Sequence, residues 1–532
     1  MPVIKVLLKP SCLDYKILDS RFEVARLVYN TLLGETQKRL YNYWNQFDFL
    51  KARDIFKSES WQKLKNKSKL NKDETEELDK PLILIKNAKT KSKYYIRSNP
   101  YGRSNSIEQY AMQKIRDKDG WIAEHLDSVS CQTLAVRAFN AIEKKRENRK
   151  IRIKFLRSGK DYIYTIDGKK NSPLKWKDGK LIWGGWPSRA GKTKKLILSP
   201  IINLNEDEKY RPILKNDKCI KYVSISRKLI GNTWQYCAII NFDGNPVVKS
   251  KHKLGIGKIG MDLGTQTYAF VSDCTAKLGI FCEELKLCEK KIKILQRQIQ
   301  RQIRINNPNN YESDFKDKNG KWKKGKKETG PLKWFISNRQ KKIETKKSDL
   351  ERKIAEYRRC LHGKLINELR ALGDDVKLEK ITYKAWQKMF GKSIGRRAPG
   401  MFVDLLKHKF TYTNGNFTEV NTYHAKLSQR CPACGKLNKK TLKCRIHECE
   451  CGYIMQRDLV SALLARSTDE NGCVNANTAK AECKDKEPVL QAALRRLNES
   501  LTGEQLQTYF GLKKSEFERI ACEASVKVDK IN

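Results

Sequence analysis

Acidic residues are scarce in this chain: 60 Asp and Glu face 110 Lys and Arg in 532 residues, which leaves a formal charge of +50. Such a chain repels itself unless a polyanion neutralises it. Long hydrophobic runs are missing too. The longest apolar stretches, such as Tyr236–Phe242, fall far short of the roughly 18–20 residues that cross a bilayer, and the opening MPVIKVLLKP holds no apolar signal region. Membrane and secreted classes are therefore excluded. Nor do the cysteines suggest a disulfide framework, because the sixteen are diluted through a long, Lys-rich chain and fit a reducing, cytoplasmic setting. What the chain does have is 39% hydrophobic residues, enough for three or four cores.

Residues 2–8 alternate and read as a strand. Arg21–Tyr43 carries apolar positions at three- and four-residue steps, the mark of an amphipathic helix, and a second helical block runs from about Ser106 to Lys145. Residues 13–145 thus read as one helical domain with a polar, Lys-rich insertion near 62–95. From Ile151 the pattern changes to short alternating runs, IRIKF, DYIYTI, KLIWGG, KKLILS, YVSIS and WQYCAIINF, which predict a small antiparallel barrel or sandwich. The N-terminal strand can complete that barrel, since a helical insertion adds little loop-closure entropy. Segment 256–275 reads as two apolar strands about a turn at Gly264. An antiparallel helical hairpin follows, with Leu285, Cys288, Ile292, Leu295 and Ile299 on one arm and Ile336 to Leu361 on the other, around a basic loop at 310–330. A strand at Val376–Glu379 and a helix from Arg457 to Arg466 flank the cysteine cluster.

Gly255, Gly257 and Gly260 satisfy G-x-G-x-x-G, but a strand rather than a helix follows them, so dinucleotide binding is not expected. GGWPSRAGKT departs from a P-loop at Trp186 and is also followed by a strand. Asp262-Leu263-Gly264-Thr265 after an apolar strand is shared with the phosphate hairpin of actin-like ATPases and sugar kinases.

Three acids carry the chemistry. Asp262 ends an apolar strand at a Gly turn, Glu379 ends a second strand in DVKLEKIT, and Asp458 follows Arg457 at the start of a helix. Singly they read as a turn residue, a solvent-facing or ion-paired Glu, and an acid favoured by the helix dipole. Together they have the composition that two-metal phosphodiester cleavage requires, because hard divalent cations take oxygen ligands and clustered carboxylates repel without them. The expected ions are two Mg2+ or Mn2+. Cys431 and Cys434 form a C-x-x-C knuckle with zinc spacing, and Cys449 and Cys451 are the preferred second half, with Cys444 and His447 close enough to substitute. Four protein ligands make one structural Zn2+.

An Asp-Leu-Gly strand, a late strand Glu, a zinc ribbon and an Arg-Asp helix directly after it together resemble the RuvC-like nucleases of the TnpB and type V CRISPR family, in its compact, miniature Cas12-like form. The match covers about 256–466. The resemblance implies a multidomain α+β protein: a wedge-like antiparallel β-barrel (1–12 and 146–255) interrupted by a helical recognition lobe (13–145), then a ribonuclease-H-like core (256–426) with a helical hairpin at 281–366. A ribbon (427–455), the last core segment (456–475) and a partly helical tail (476–532) complete it. By the same resemblance Asp262, Glu379 and Asp458 bind the catalytic metals and Cys431, Cys434, Cys449 and Cys451 the zinc. The implied function is that of an RNA-guided DNA endonuclease of a prokaryotic cell, serving antiviral defence or a transposon. Guide RNA and target double-stranded DNA are its partners, no membrane is involved, and a homodimer is left open. The +50 charge agrees: neutralising about 6–10 phosphates makes affinity fall roughly 10³–10⁵-fold from 50 to 200 mM salt. Lys144, Lys145, Arg146, Arg149 and Lys150 form a candidate backbone contact or, equally, a solvated helix end. The alternatives are a cleavage-inactive RNA-guided binder or transposase accessory, and an actin-like ATPase or sugar kinase.

Overall fold

Ser11 starts the first helix by accepting a hydrogen bond from the Asp14 amide while the Asp14 carboxylate accepts from the Ser11 amide, a reciprocal cap that satisfies two end donors. That helix, α1 (Cys12–Trp44), buries Leu18, Phe22, Ala25, Leu32 and Leu40 along one stripe. The computed structural model describes residues 2–520 apart from 46, 68–69, 99–105, 216, 246, 251, 442–443 and 470–471. It divides into two units, Met1–Val247 and Val248–Asn532. The last twelve residues of the expected C-terminal tail lie outside the described residues.

In the first unit α2 (Lys72–Ser98) and α3 (Ser128–Glu147) pack on α1. The insertion expected near 62–95 is therefore mostly a long helix: Lys and Glu are good helix formers, and Ala88 and Ile96 suffice to seat it. Asp127 caps α3 by accepting from the Ser130 amide and also from the indole N–H of Trp183, over whose ring the Arg21 guanidinium lies at 4.5 Å. The strands are β1 (Val3–Lys9), β2 (Thr165–Asp167), β3 (Leu174–Lys177), β4 (Lys180–Trp183), β5 (Leu196–Pro200), β6 (Ile220–Ile230) and β7 (Thr233–Phe242). They form one antiparallel sheet in the order β2-β6-β7-β1-β5-β4-β3, with the N-terminal strand at its centre. IRIKF forms no strand. The backbone just after it is held by side chains of α1 instead, since the Leu156 carbonyl accepts from Arg26 and Asn30 and the Leu156 amide donates to Asn30. GGWPSRAGKT makes a two-rung hairpin ahead of β5, which agrees with its rejection as a P-loop.

The second unit is built on a five-stranded sheet of β8 (Lys258–Leu263), β9 (Thr267–Val271), β10 (Ala276–Ile280), β11 (Asp375–Glu379) and β12 (Asn416–Val420), in the order β10-β9-β8-β11-β12. The first three are antiparallel and β8, β11 and β12 run parallel. Between β10 and β11 stand α4 (Lys286–Asn306) and α5 (Asn338–Leu372), packed side by side as the expected hairpin. After β11 come α6 (Tyr383–Arg397) and α7 (Pro399–Thr411), and after β12 come α8 (Arg457–Arg466), α9 (Ala476–Ser500) and α10 (Gly503–Phe510). The two faces of the sheet carry separate cores. Ile259, Met261, Phe270, Val376 and Leu378 meet Ile366 and Leu369 of α5 and Phe402 and Phe410 of α7. Ala269, Val271 and Leu278 point the other way, to Leu459, Val460 and Leu463 of α8 and Leu490 and Leu494 of α9. This period-two alternation is what a sheet covered on both faces demands. Among the described residues no helix is long and apolar enough to cross a membrane.

His362 of α5 is buried in the first of these cores, with Nε2 2.8 Å from the Arg397 carbonyl. Burial and then the nearby Arg358 charge push its pKa down to about 4, against the pull of the Arg397 carbonyl. The folded unit thus binds this proton less readily than the unfolded chain does. Its contribution is full above pH 6.5 and is lost as the pH falls towards 4, by about 3 kcal/mol in all. Amide protection in α5 and α7, taken relative to the intrinsic exchange rate at each pH, is expected to fall between pH 6.5 and 5, and His362→Phe to remove most of that slope.

Candidate functional site

Strand alternation decides which way the acids face. On β8, Ile259 and Met261 enter the core under α5 and α7, so Gly260 and Asp262 face α8. A methyl group at Gly260 would run into the backbone carbonyl of Ala462 in α8, which is why glycine stands there. On β11, Val376 and Leu378 take the same core, leaving Lys377 and Glu379 on the α8 side, where the Lys377 ammonium donates to the Thr468 carbonyl. The parallel register pairs Met261 with Leu378, so Asp262 and Glu379 are neighbours at the C-terminal ends of adjacent strands. Asp458 lies in the first turn of α8, which crosses these strands. The three acids are thus brought to one place.

The charges of the other two act on Asp262. Burial first, then the charges of Asp458 and Glu379, hold the Asp262 carboxyl well above the usual carboxylate range, with Arg457 and Ser461 working the other way. Burial also raises Glu379, against a hydrogen bond from the Leu427 amide. Arg457 is the nearest cation to Asp458, at 3.5 Å, but it is shared, since its Nη1 donates to the Cys444 carbonyl. Tyr383, four residues beyond Glu379, has a buried hydroxyl without a hydrogen-bond partner among the described residues, and burial and the Asp262 charge raise its pKa. Sequence reasoning passed over Tyr383 and Ser461, since Tyr383 opens α6 beyond the turn that follows β11 and no periodicity links it to Glu379. Among the described residues only the four ribbon cysteines have donor atoms that all lie within 4.8 Å of one another, so the three acids offer hard oxygen donors spread around the strand ends and are not closed on a single ion.

The second cluster is formed by Cys431, Cys434, Cys449 and Cys451, whose sulfurs all lie within 4.8 Å of one another. Cys431 and Cys451 are 3.7 Å apart and Cys434 and Cys449 3.5 Å. Four convergent thiols of C-x-x-C and C-x-C spacing suit a tetrahedral zinc. Cys444 and His447 stay out of this set. The Cys444 thiol donates to the Ile446 carbonyl, and the His447 ring is fully buried, pushed down to about 4 by burial and by Lys440. The short strands Ile446–Glu448 and Ile454–Gln456 carry the second thiol pair between them, and the latter runs straight into α8. Gln456 caps that helix by accepting from the Leu459 amide, and the Arg457 amide donates to the Arg445 carbonyl. The ribbon and the helix bearing Asp458 are therefore one continuous piece.

The basic run is largely engaged within the first unit. Arg146 donates to the Lys89 carbonyl and pairs with Glu143, Lys145 donates to the Tyr41 hydroxyl, and Arg149 stacks 4.5 Å over Trp44. Lys144 and Lys150 are exposed.

The acids at the strand ends are thus joined, through the helix that bears Asp458, to a four-thiol cluster with the composition of a zinc site. Residues 400–464, from α7 into α8, match the family model for the Cas12f1-like TNB domain, and over this segment the chain is similar to miniature Cas12-like nucleases. No curated protein matches. Among solved structures, a Cas12f1 chain in a cryo-EM complex with sgRNA and target DNA aligns at 12% identity over 87% of this chain and 97% of that one, with a TM-score of 0.44. A CRISPR-Cas12f ternary complex aligns at 13% identity over 89% and 100%, with a TM-score of 0.27.

Proposed function

We propose that this protein is an RNA-guided DNA endonuclease with a single ribonuclease-H-like site. The observation that carries the reading is the convergence of Asp262, Glu379 and Asp458 from two adjacent parallel strands and the helix after the ribbon. The sheet order, three antiparallel strands followed by two parallel ones, supports the ribonuclease-H-like reading. Two magnesium or manganese ions held by these acids would activate a water and stabilise the leaving 3′ oxygen. The chain's own part is positioning: Gly260 lets α8 approach, Arg457 ties Asp458 to the ribbon, and the Leu427 amide orients Glu379. A guide RNA reads the target by base pairing, and the protein reads a short flanking motif on the duplex. In this reading residues 1–12 with 146–255 are the wedge and 13–145 the recognition lobe.

The test is direct. RNA that copurifies with the protein is sequenced, and a duplex complementary to its variable part is offered with Mg2+. Cleavage that depends on pairing supports the proposal. Pairing-dependent binding without cleavage points to a silent binder, and nucleotide hydrolysis without nucleic acid to an ATPase. In the same assay Gly260→Ala is expected to cut about 10²-fold more slowly, since small misplacements cost that much. The substitution is also expected to destabilise the unit by about 1–3 kcal/mol in denaturant unfolding.

A further inference from the structure

Residues 308–337, which join α4 to α5, fold on themselves. At their base, the Asn307 side chain donates to the Phe335 carbonyl and accepts from the Phe335 amide, and Asn310 donates to the Lys333 carbonyl. Further out, Phe315–Lys316 pairs with Trp322–Lys323, and Arg304 lies 4.2 Å over Tyr311 while donating to the Gly325 carbonyl. An ordered tip of this kind has the means to bury its aromatics, yet Trp322 is 70%, Phe335 66% and Phe315 46% exposed. The register pairs Phe315 with Lys323 and Trp322 with Lys316, so these two rings stand on opposite faces of the hairpin and Phe335 stands nearer its base; an exposed ring held on an ordered tip marks an interaction site.

The charge around them is net positive. The tip holds eight lysines and four acids. Three of the acids, Glu312, Asp314 and Asp317, accept from backbone amides of Lys326, Gly325 and Lys321 inside the tip. Lys323 also pairs with Asp317 at 3.1 Å and Lys324 with Asp314 at 2.9 Å, the lysines are exposed, and the Lys316 ammonium sits 5.3 Å over the Trp322 ring.

We infer that this tip is a docking surface for a single-stranded polynucleotide, one base stacking on Trp322 and another, nearer the base of the tip, on Phe335, while the unpaired lysines take the phosphates. Ring faces open to solvent beside cations match unpaired bases, because in a duplex the base faces are already stacked on one another. A second copy of the same tip would bring lysines against lysines. The surface is separate from the acids at the strand ends, and the inference goes beyond the nuclease reading.

The full-length protein with its copurified RNA is irradiated with short oligouridine or oligothymidine carrying a thio-substituted base, and the adducts are mapped by peptide sequencing. Adducts are expected at 315–336, and the RNA and DNA arms show which polynucleotide the tip prefers. Trp322→Ala should lose them and bind the oligonucleotide roughly fivefold to a hundredfold more weakly, Trp322→Phe should retain most of both, and Phe335→Ser serves as the second variant should Trp322→Ala disturb the tip. Adducts confined to other segments, or unchanged binding by both Trp322→Ala and Phe335→Ser, would overturn the proposal. A crosslink between the tips of two copies would replace the polynucleotide by a second chain. Cleavage is scored separately, so a silent tip leaves the nuclease proposal standing.

Discussion

Replacing Asp262 by asparagine is expected to abolish cleavage and, at the same time, to make the cation-free protein more stable. Both effects follow from one buried carboxyl placed against two others. Its folded pKa lies above the unfolded value, so the native state binds more protons over that interval, and stability falls as the pH rises from the ordinary carboxylate range through the raised value. At neutral pH the carboxyl therefore costs stability unless a cation is bound. Asparagine keeps the shape and removes the charge. In buffer freed of Mg2+ and Mn2+ by dialysis, with the zinc retained, the variant should unfold at higher temperature, by about 2–4 °C for each kcal/mol relieved in a unit of this size. Added Mg2+ should raise the unfolding temperature of the parent protein and leave that of the variant nearly unchanged. Cleavage should drop at least about 10³-fold, because a metal's charge stabilisation of the transition state amounts to several kcal/mol. A variant that cuts at the parent rate would remove Asp262 from the site. A variant that fails to cut but shows neither gain in stability nor loss of the Mg2+ response would mean that the carboxyl is not held against its neighbours.

Individual acids are easier to find in the sequence than the site they make. Asp262, Glu379 and Asp458 can be picked out because each ends an apolar run or opens a helix, patterns set by residues within a turn or two. That Asp262 and Glu379 stand side by side depends on the pairing of β8 with β11, which the intervening hairpin and tip leave undetermined locally. Gly260 shows the same limit. In the sequence it completes a dinucleotide-like triplet, and only the packed helix reveals that it makes room for the Ala462 carbonyl. Where periodicity is strong, element bounds follow it closely, as at Arg457–Arg466. Two strands of the sheet escape the pattern. Ala276–Ile280 is short and broken by Gly279, and Asn416–Val420 pairs only along the edge of β11, with a single fully buried residue, Val420. The opposite error occurs at IRIKF, whose alternation is perfect but whose neighbouring backbone is captured by Arg26 and Asn30. Alternation states which residues would share a face, not whether a partner strand is free to receive them.

Loss of the ribbon's metal is expected to silence the site without unfolding the sheet. Cys431→Ser removes the most buried of the four thiols, and serine is a poor zinc ligand. Zinc binding supplies about 10–16 kcal/mol of apparent folding free energy in small finger peptides. Here the sheet has two cores of its own, so the cost should fall on the ribbon and on what is tied to it. The tie is the run Ile454–Gln456 into Arg457, with the Arg457 amide on the Arg445 carbonyl and its guanidinium on the Cys444 carbonyl. A loosened ribbon therefore frees the first turn of α8, and Asp458 with it. The expected signature has three parts: zinc content falling from one equivalent to a small fraction, faster hydrogen exchange across 427–459 with β8 and α5 unchanged, and cleavage reduced at least about 10²-fold. Chelation of the parent protein should reproduce all three, and added zinc should reverse them in the parent but not in Cys431→Ser. Retention of a full zinc equivalent by the variant would refute the tetrathiol ligand set. Loss of zinc with undiminished cleavage would instead show that Asp458 holds its place without the ribbon, and that packing of α8 on Gly260 alone is enough to set the site.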